Sequence, residues 1–168
     1  MRIGTALRRF LAPGWLVALH YRRRFGALTS PLAEVEISPL LELGPGARIG
    51  PFAKIKATRG RVRVGAGTEI GAHCMIAGAE NGIEIGRDCR IGPQVAVVGV
   101  NYRYERVDMT FRAQGTTSKG VTRIGNNVVI GAGAAILDGA DIADGAVIRP
   151  RAVVSGRVAA RPRRSDTA

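Results

Sequence analysis

The polar side chains that could do chemistry are concentrated in one irregular segment, Gly99–Lys119. It supplies amide, phenol, guanidinium and carboxylate groups but no imidazole, because the two histidines of the chain are His20 and His73. Together with the two cysteines, Cys74 and Cys89, these histidines give no cluster typical of a metal site, so no metal is expected. A loop of this length in a compact domain is usually functional. We therefore expect Gly99–Lys119 to carry the reacting groups.

A ladder of fifteen aliphatic residues, most of them spaced six apart, predicts the secondary structure that positions this loop. Ten of them are followed by Gly or Ala, and a small or slim side chain stands four residues after most of them. A period of six fits neither a helix nor a simple strand, and it is typical of a parallel β-helix with short strands and tight corners. The sequence therefore predicts an all-β fold with this ladder inside: Leu43, Ile49, Ile55, Val64, Ile70, Ile76, Ile85, Ile91, Val97, Ile124, Ile130, Ile136, Ile142, Ile148 and Val154.

The interruptions of the ladder all fall at one corner of the predicted prism. Taken in threes, the ladder gives about five coils, and the extra residues always follow the third side, after Ile55, Ile76 and Val97. Insertions in repeat proteins collect on one face in this way. At 168 residues we expect one domain. It spans residues 42–158 and carries the inserted loop 99–119.

The net charge of +12 lies mainly at the two ends of the chain. Residues 1–24 hold six Arg and no acid, and residues 157–168 hold four Arg and one Asp. A nucleic-acid binder usually carries a basic stripe with aromatics on its folded body, so no nucleic-acid partner is expected. Terminal arginines suit anionic lipid or a phosphate-bearing cofactor better.

Residues 1–41 are predicted to form a basic helical segment, interrupted near Pro13-Gly14, and a linker. The apolar stretch Phe10–Leu19 is too short to span a membrane. Two interpretations of this segment stay open: a cap on the first coil, or an interfacial helix in which residues 1–24 contact anionic membrane. We expect a cytoplasmic protein, with peripheral contact at the inner face of the membrane under the second interpretation. Residues 159–168 are predicted to be a disordered basic tail.

The repeats, the loop and the run Ile124–Ala135 together resemble the hexapeptide-repeat acyltransferases, in the branch of the sugar O-acetyltransferases. The resemblance covers roughly residues 40–156. It implies a left-handed coil and a homotrimer whose three active sites each lie between two subunits. Acetyl-CoA would lie along the prism as co-substrate, beside the long loop of a neighbouring subunit, and the acceptor would be a sugar or glycolipid.

The resemblance places the catalytic groups at Asn101 and Tyr102. The family loop carries a His in a pattern like Asn-His-x-Tyr, where this chain has Asn101-Tyr102-Arg103-Tyr104. A phenol is almost wholly protonated near neutral pH, whereas neutral imidazole is an available base. Loss of a general base typically lowers the rate by about 10²–10⁴-fold, but positioning and oxyanion stabilisation would remain.

The resemblance also implies a set of cofactor-binding residues. Ala132 matches the position whose backbone N–H faces the thioester carbonyl, and Pro150 falls near the pantetheine arm, where its nitrogen cannot donate. Ser155 matches a small hydroxyl near the cofactor. Arg157, with Arg161, Arg163 or Arg164, could supply the positive charge for the 3′-phosphate.

Three functions follow from these observations. The first is transfer of an acetyl or other short acyl group from CoA to a hydroxyl of a sugar or glycolipid, in polysaccharide or cell-envelope synthesis. The second is a non-catalytic trimeric scaffold that kept the fold and lost the catalytic His. The third is acyl transfer to an amine.

Overall fold

A computed structural model describes residues 12–160, and in this range the chain winds as a three-sided parallel β-helix. The strands of the first three turns are β1 (Leu28–Thr29), β2 (Glu34–Val35), β3 (Leu41–Leu43), β4 (Arg48–Ile49), β5 (Lys54–Lys56), β6 (Val62–Val64), β7 (Glu69–Ile70), β8 (Met75–Ala77) and β9 (Ile83–Ile85). The remaining strands are β10 (Arg90–Ile91), β11 (Ala96–Val98), β12 (Asn101–Tyr102), β13 (Thr116–Thr117), β14 (Thr122–Ile124), β15 (Val129–Ile130), β16 (Ala135–Ile136), β17 (Asp141–Ile142), β18 (Val147–Ile148), β19 (Val153–Val154) and β20 (Arg157–Val158).

Each turn gives one strand to each of three six-stranded parallel sheets. Sheet A contains β1, β4, β7, β10, β15 and β18; sheet B contains β2, β5, β8, β11, β16 and β19; sheet C contains β3, β6, β9, β14, β17 and β20. Strands β12 and β13 stand apart as an antiparallel pair. The predicted left-handed β-helix is confirmed.

The core consists of stacked columns of the aliphatic ladder. Ile49 pairs in register with Ile70, and Ile70 with Ile91, so identical side chains lie one above another. None of the fifteen ladder residues is more than 8% exposed. Every one of the predicted inward positions is therefore confirmed.

The β-helix has about six turns where the ladder predicted about five. In sheets A, B and C, the three strands that the ladder did not include are β1 and β2, which lie in the segment that the sequence assigned to a linker, and β20 at the C-terminal end of the β-helix. The inward residue of β1 is Thr29, which is buried and whose hydroxyl has no hydrogen-bond partner among residues 12–160. A polar residue at this position, and an eight-residue step from Val35 to Leu43, hid β1 and β2 from a search for aliphatic residues six apart, and Val158 of β20 follows Val154 by four residues.

Helix α1 (Gly14–Phe25) covers the end of the first turn. It begins directly after Pro13 and ends at Phe25, before the capping Gly26, whose left-handed backbone (φ 67°) lets its N–H reach the carbonyl of Arg22. Val17 and Tyr21 are buried against the first turn, and the Tyr21 hydroxyl donates to the carbonyl of Glu36 at 2.6 Å. Burial raises the pKa of this phenol. The predicted N-terminal helix is thus present and acts as a cap, while residues 1–11 lie outside the described range.

Among residues 12–160, no helix has the length and apolar character needed to cross a bilayer. The predicted tail 159–168 lies outside the described residues from Arg161 onward.

Candidate active site

The loop Gly99–Lys119 leaves the β-helix between β11 of sheet B and β14 of sheet C, at the B/C corner where the other insertions also lie. Its two ends form an antiparallel β-hairpin. Asn101 pairs with Thr117 and Tyr102 with Thr116, and the N–H of Arg103 donates to the carbonyl of Gly115 at 3.1 Å. The loop also contains the short helix α2 (Phe111–Gln114), capped by Thr110.

The tip of the hairpin is held by one side-chain amide. Gln114 accepts from the N–H of Arg106 at 3.0 Å and donates to the carbonyl of the same residue at 2.7 Å. Arg106 also pairs with Asp108, which raises the pKa of the guanidinium and lowers that of the carboxyl. These bonds give the loop a defined shape, so that it can present side chains to a substrate.

A buried carboxylate fastens the base of the loop to the next turn. Asp138 is 1% exposed and accepts from the Ser118 hydroxyl at 2.6 Å and from the N–H of Lys119 at 2.5 Å. The Ser118 hydroxyl in turn accepts from the Asn81 amide at 2.8 Å. The returning strand of the loop is therefore tied both to the turn below it and to the turn above it.

The two predicted catalytic residues lie side by side on β12. Asn101 is half-buried, whereas the Tyr102 side chain is 69% exposed and its hydroxyl bonds to nothing within residues 12–160. Nearby on the loop, Tyr104, Val107 and Phe111 are exposed as well. A loop with this much exposed aromatic and apolar side-chain surface is suited to contact another molecule.

The predicted thioester-binding position, Ala132, lies at the A/B corner, two residues after the inward Ile130 of β15. The equivalent corner positions in the six turns are Pro31, Pro51, Ala72, Pro93, Ala132 and Pro150. Proline recurs here because the corner backbone does not need an N–H for pairing. Within the described residues the N–H groups of Ala72 and Ala132 have no acceptor, so each is a free donor at the corner.

The other predicted cofactor residues lie in the last turn. Pro150 stacks directly above Ala132, and the N–H of Arg151 donates to the carbonyl of Ala132 at 2.9 Å. Ser155 is exposed after β19, at the B/C corner. Arg157 lies on sheet C, with its guanidinium 3.9 Å from the Asp141 carboxylate. Ala132 and Pro150 are thus brought together, while Ser155 and Arg157 lie on the other side of sheet B.

Within one chain, sheet B separates the two halves of the candidate site. Tyr102 follows β11 at the B/C corner, and Ala132 precedes β16 at the A/B corner, with β11 and β16 neighbours in sheet B. The outward residues between them are small, Ala96 and Ala135. The loop and the free N–H therefore lie at opposite edges of one face, and a single chain does not bring them together.

The remaining candidates lie away from the loop. His73 is exposed at the A/B corner and stacks on Phe52 with ring centroids 4.9 Å apart. Cys74 and Cys89 are buried free thiols. In the described part of the chain, no three His, Cys, Asp or Glu side chains are grouped as a metal would require.

Sequence reasoning missed Asp138 and its partners. The signal was present, because the equivalent corner positions in the neighbouring turns are Ala57, Gly78, Gly99 and Gly156. A single carboxylate in a column of small residues, one turn above a long insertion, indicates a specific partner in that insertion.

Comparison with known proteins agrees with this architecture. The family profile described as "Bacterial transferase hexapeptide (six repeats)" matches residues 122–156. The structure resembles that of a variant of AntD, an N-acyltransferase from Bacillus cereus, in complex with dTDP and coenzyme A, with TM-score 0.69, 18% identity, and coverage of 84% of this chain and 80% of that chain. A second AntD variant with the same ligands gives TM-score 0.63 and 19% identity, with coverage of 80% and 73%. A maltose O-acetyltransferase from Clostridium difficile 630 gives TM-score 0.48 and 20% identity, with coverage of 93% and 74%. No curated protein matches the chain in sequence.

Proposed function

Because the chain is a hexapeptide-repeat protein, we propose that it transfers an acetyl or other short acyl group from CoA to a hydroxyl of a sugar or glycolipid, in polysaccharide or cell-envelope synthesis. The fold is shared with an N-acyltransferase solved with coenzyme A and dTDP, which supports acyl-CoA as the donor. The observation that carries the proposal is the free N–H of Ala132 at a corner otherwise filled mostly by proline.

The reaction divides between the two halves of the site. The acceptor oxygen attacks the thioester carbonyl, the new C–O bond forms and the C–S bond breaks, and the hydroxyl proton ends on the sulfur of CoA. The N–H of Ala132 would stabilise the negative oxygen that develops on the carbonyl, a contribution that needs only the main chain. Asn101 and Tyr102 would orient the acceptor, with the phenol a weak substitute for a general base.

This division requires a second copy of the chain. Loop and corner lie at opposite edges of sheet B, and the loop carries uncovered aromatic side chains. We infer a C3 homotrimer in which Gly99–Lys119 of one chain reaches the A/B corner of the next. Light scattering tests the assembly, and a monomer of about 17.7 kDa at micromolar concentration would contradict it.

The decisive test of the site is Ala132→Pro, because this substitution removes the N–H and little else. The neighbouring turns accept proline at the same position, so the fold should be preserved. We expect acyl transfer, followed by release of CoA thiol, to fall by about 10²–10³-fold. Ala72→Pro is the matched control: it makes the same change at the same corner, away from the loop, and should leave the rate unchanged. Equal rates for the two variants would refute the role of Ala132.

The scaffold alternative makes a different prediction about CoA. A protein that lost the chemistry and the cofactor should show no heat of binding in calorimetry with CoA, whereas the proposed enzyme should bind it. The second alternative is an amine acceptor, which is consistent with the N-acyltransferase activity named for AntD. Mass spectrometry of the product distinguishes an amide from an ester.

A further inference from the structure

Helix α1 presents an apolar and basic stripe to solvent, opposite the side that packs on the β-helix. Val17 and Tyr21 form the packed side. At 3.6 residues per turn the stripe occupies an arc of about 120°. We call it the helix face, and its members are Trp15, Leu16, Leu19, Arg22 and Arg23.

The apolar half of the helix face is not explained by capping. Trp15, Leu16 and Leu19 are 59%, 41% and 37% exposed, although Val17 and Tyr21 already cover the first turn. The solvent side of a surface helix is normally polar. Clustered large apolar side chains in this setting indicate a surface that contacts something else.

The basic half determines what that partner is. Helix α1 contains no acidic residue, and within residues 12–160 no carboxylate pairs with Arg22, Arg23 or Arg24. Arg24 instead lies over the Phe25 ring, at 5.2 Å from its centroid. The stripe is apolar in its N-terminal half and cationic in its C-terminal half, which matches a bilayer whose acyl chains receive the N-terminal half while its phosphates meet the arginines.

We propose that the helix face docks on an anionic phospholipid bilayer, with the N-terminal half of α1 lying deeper in the interface than the C-terminal half. Trp15 takes the headgroup boundary, Leu16 and Leu19 enter the acyl region, and Arg22 and Arg23 contact lipid phosphates. The inference does not rest on acyl transfer.

The chain contains one tryptophan, so its fluorescence reports on the helix face directly. The full chain is mixed with vesicles of phosphatidylcholine alone, or of equal parts phosphatidylcholine and phosphatidylglycerol. We expect a blue shift of Trp15 emission, and quenching by brominated acyl chains, with the anionic vesicles only. High salt should weaken the binding.

Two sets of substitutions separate the contributions. Arg22→Gln with Arg23→Gln should weaken partitioning about 30-fold, at about fivefold for each arginine near an anionic surface. The matched control, Arg59→Gln with Arg149→Gln, removes the same charge from exposed sites on the β-helix and should change partitioning little. Leu16→Ser with Leu19→Ser should abolish the blue shift while circular dichroism stays native.

Three results would overturn the proposal. One is unchanged Trp15 emission with both vesicle compositions. Another is an equal loss of vesicle binding in the Arg22/Arg23 and Arg59/Arg149 double variants, because it would show that the binding depends on net charge and not on the helix face. The third is a blue shift that grows with protein concentration in the absence of vesicles, because it would assign the helix face to a second copy of the chain.

Discussion

Replacement of Asp138 by asparagine should release the base of the loop without unfolding the β-helix. The carboxylate accepts two hydrogen bonds, from the Ser118 hydroxyl and the Lys119 N–H, in a site where it is 1% exposed. Asp138→Asn keeps the size and one acceptor oxygen but removes one charge-assisted bond, worth about 1.5–3 kcal/mol. The open state of the loop base should therefore become about 10–150 times more populated.

Native-state hydrogen exchange measures this opening directly. The N–H of Lys119 donates to Asp138, so its exchange, and that of residues 116–120, should accelerate by that factor. Exchange in the central turns should stay unchanged, because their bonds are independent of the loop.

The matched control for this prediction is Asp141→Asn, in the same turn. Asp141 is exposed and pairs with Arg157 at 3.9 Å, an arrangement worth at most about 1 kcal/mol. Loop exchange in this variant should match the parent chain. The reasoning is refuted if Asp138→Asn leaves the exchange of residues 116–120 unchanged, or if it accelerates exchange equally along the whole β-helix.

Three further predictions concern other residues. Tyr102→His should raise turnover by about 10²–10⁴-fold, because it supplies imidazole at an exposed position with room for it; steady-state kinetics check this, and Tyr102→Phe separates a role of the hydroxyl from simple occupancy. Burial raises the pKa of both Cys74 and Cys89, so fewer thiolates form; a thiol reagent should label neither residue in the native chain and both after denaturation. The backbone N–H and then the side-chain amide of Asn126 lower the pKa of the Asp144 carboxyl. The ionised Asp144 carboxylate therefore stabilises the folded protein fully above the pKa that this group has in the unfolded chain, and the stabilisation is lost as the pH falls through its pKa in the folded protein. Asp144→Asn should accordingly flatten the decline of the thermal midpoint below about pH 4.

The β-helix was predictable because each side of the prism places the same kind of residue in the same buried position. A six-residue side needs an aliphatic residue inside, which the chain supplies in fifteen places, and a slim residue near the corner, which it supplies after most of them. The start of the first turn, β1 and β2, was missed because Thr29 occupies the inward position with a polar side chain. A search that also used the small residues Ala27 and Ala33 would have found it.

The candidate site was predictable only in part. The repeat gives Ala132 a fixed corner, so its place on the prism followed from counting. The shape of the loop did not follow, because it depends on pairing such as Tyr102 with Thr116 and on the buried Asp138, neither of which obeys the period of six. Under the proposed function, how the loop meets the corner depends on a second chain, whose contacts are not encoded by the repeat.

The central claim is that loop and corner from two chains form one site, and mixed trimers test it most directly. One chain carries Asn101→Ala with Tyr102→Ala and an intact corner; the other carries Ala132→Pro and an intact loop. Each variant alone should be slow, and trimers purified from cells that express both should recover activity, at about a quarter of the parent level if assembly is random. Mixed trimers that are as slow as either variant alone would contradict a site shared between chains.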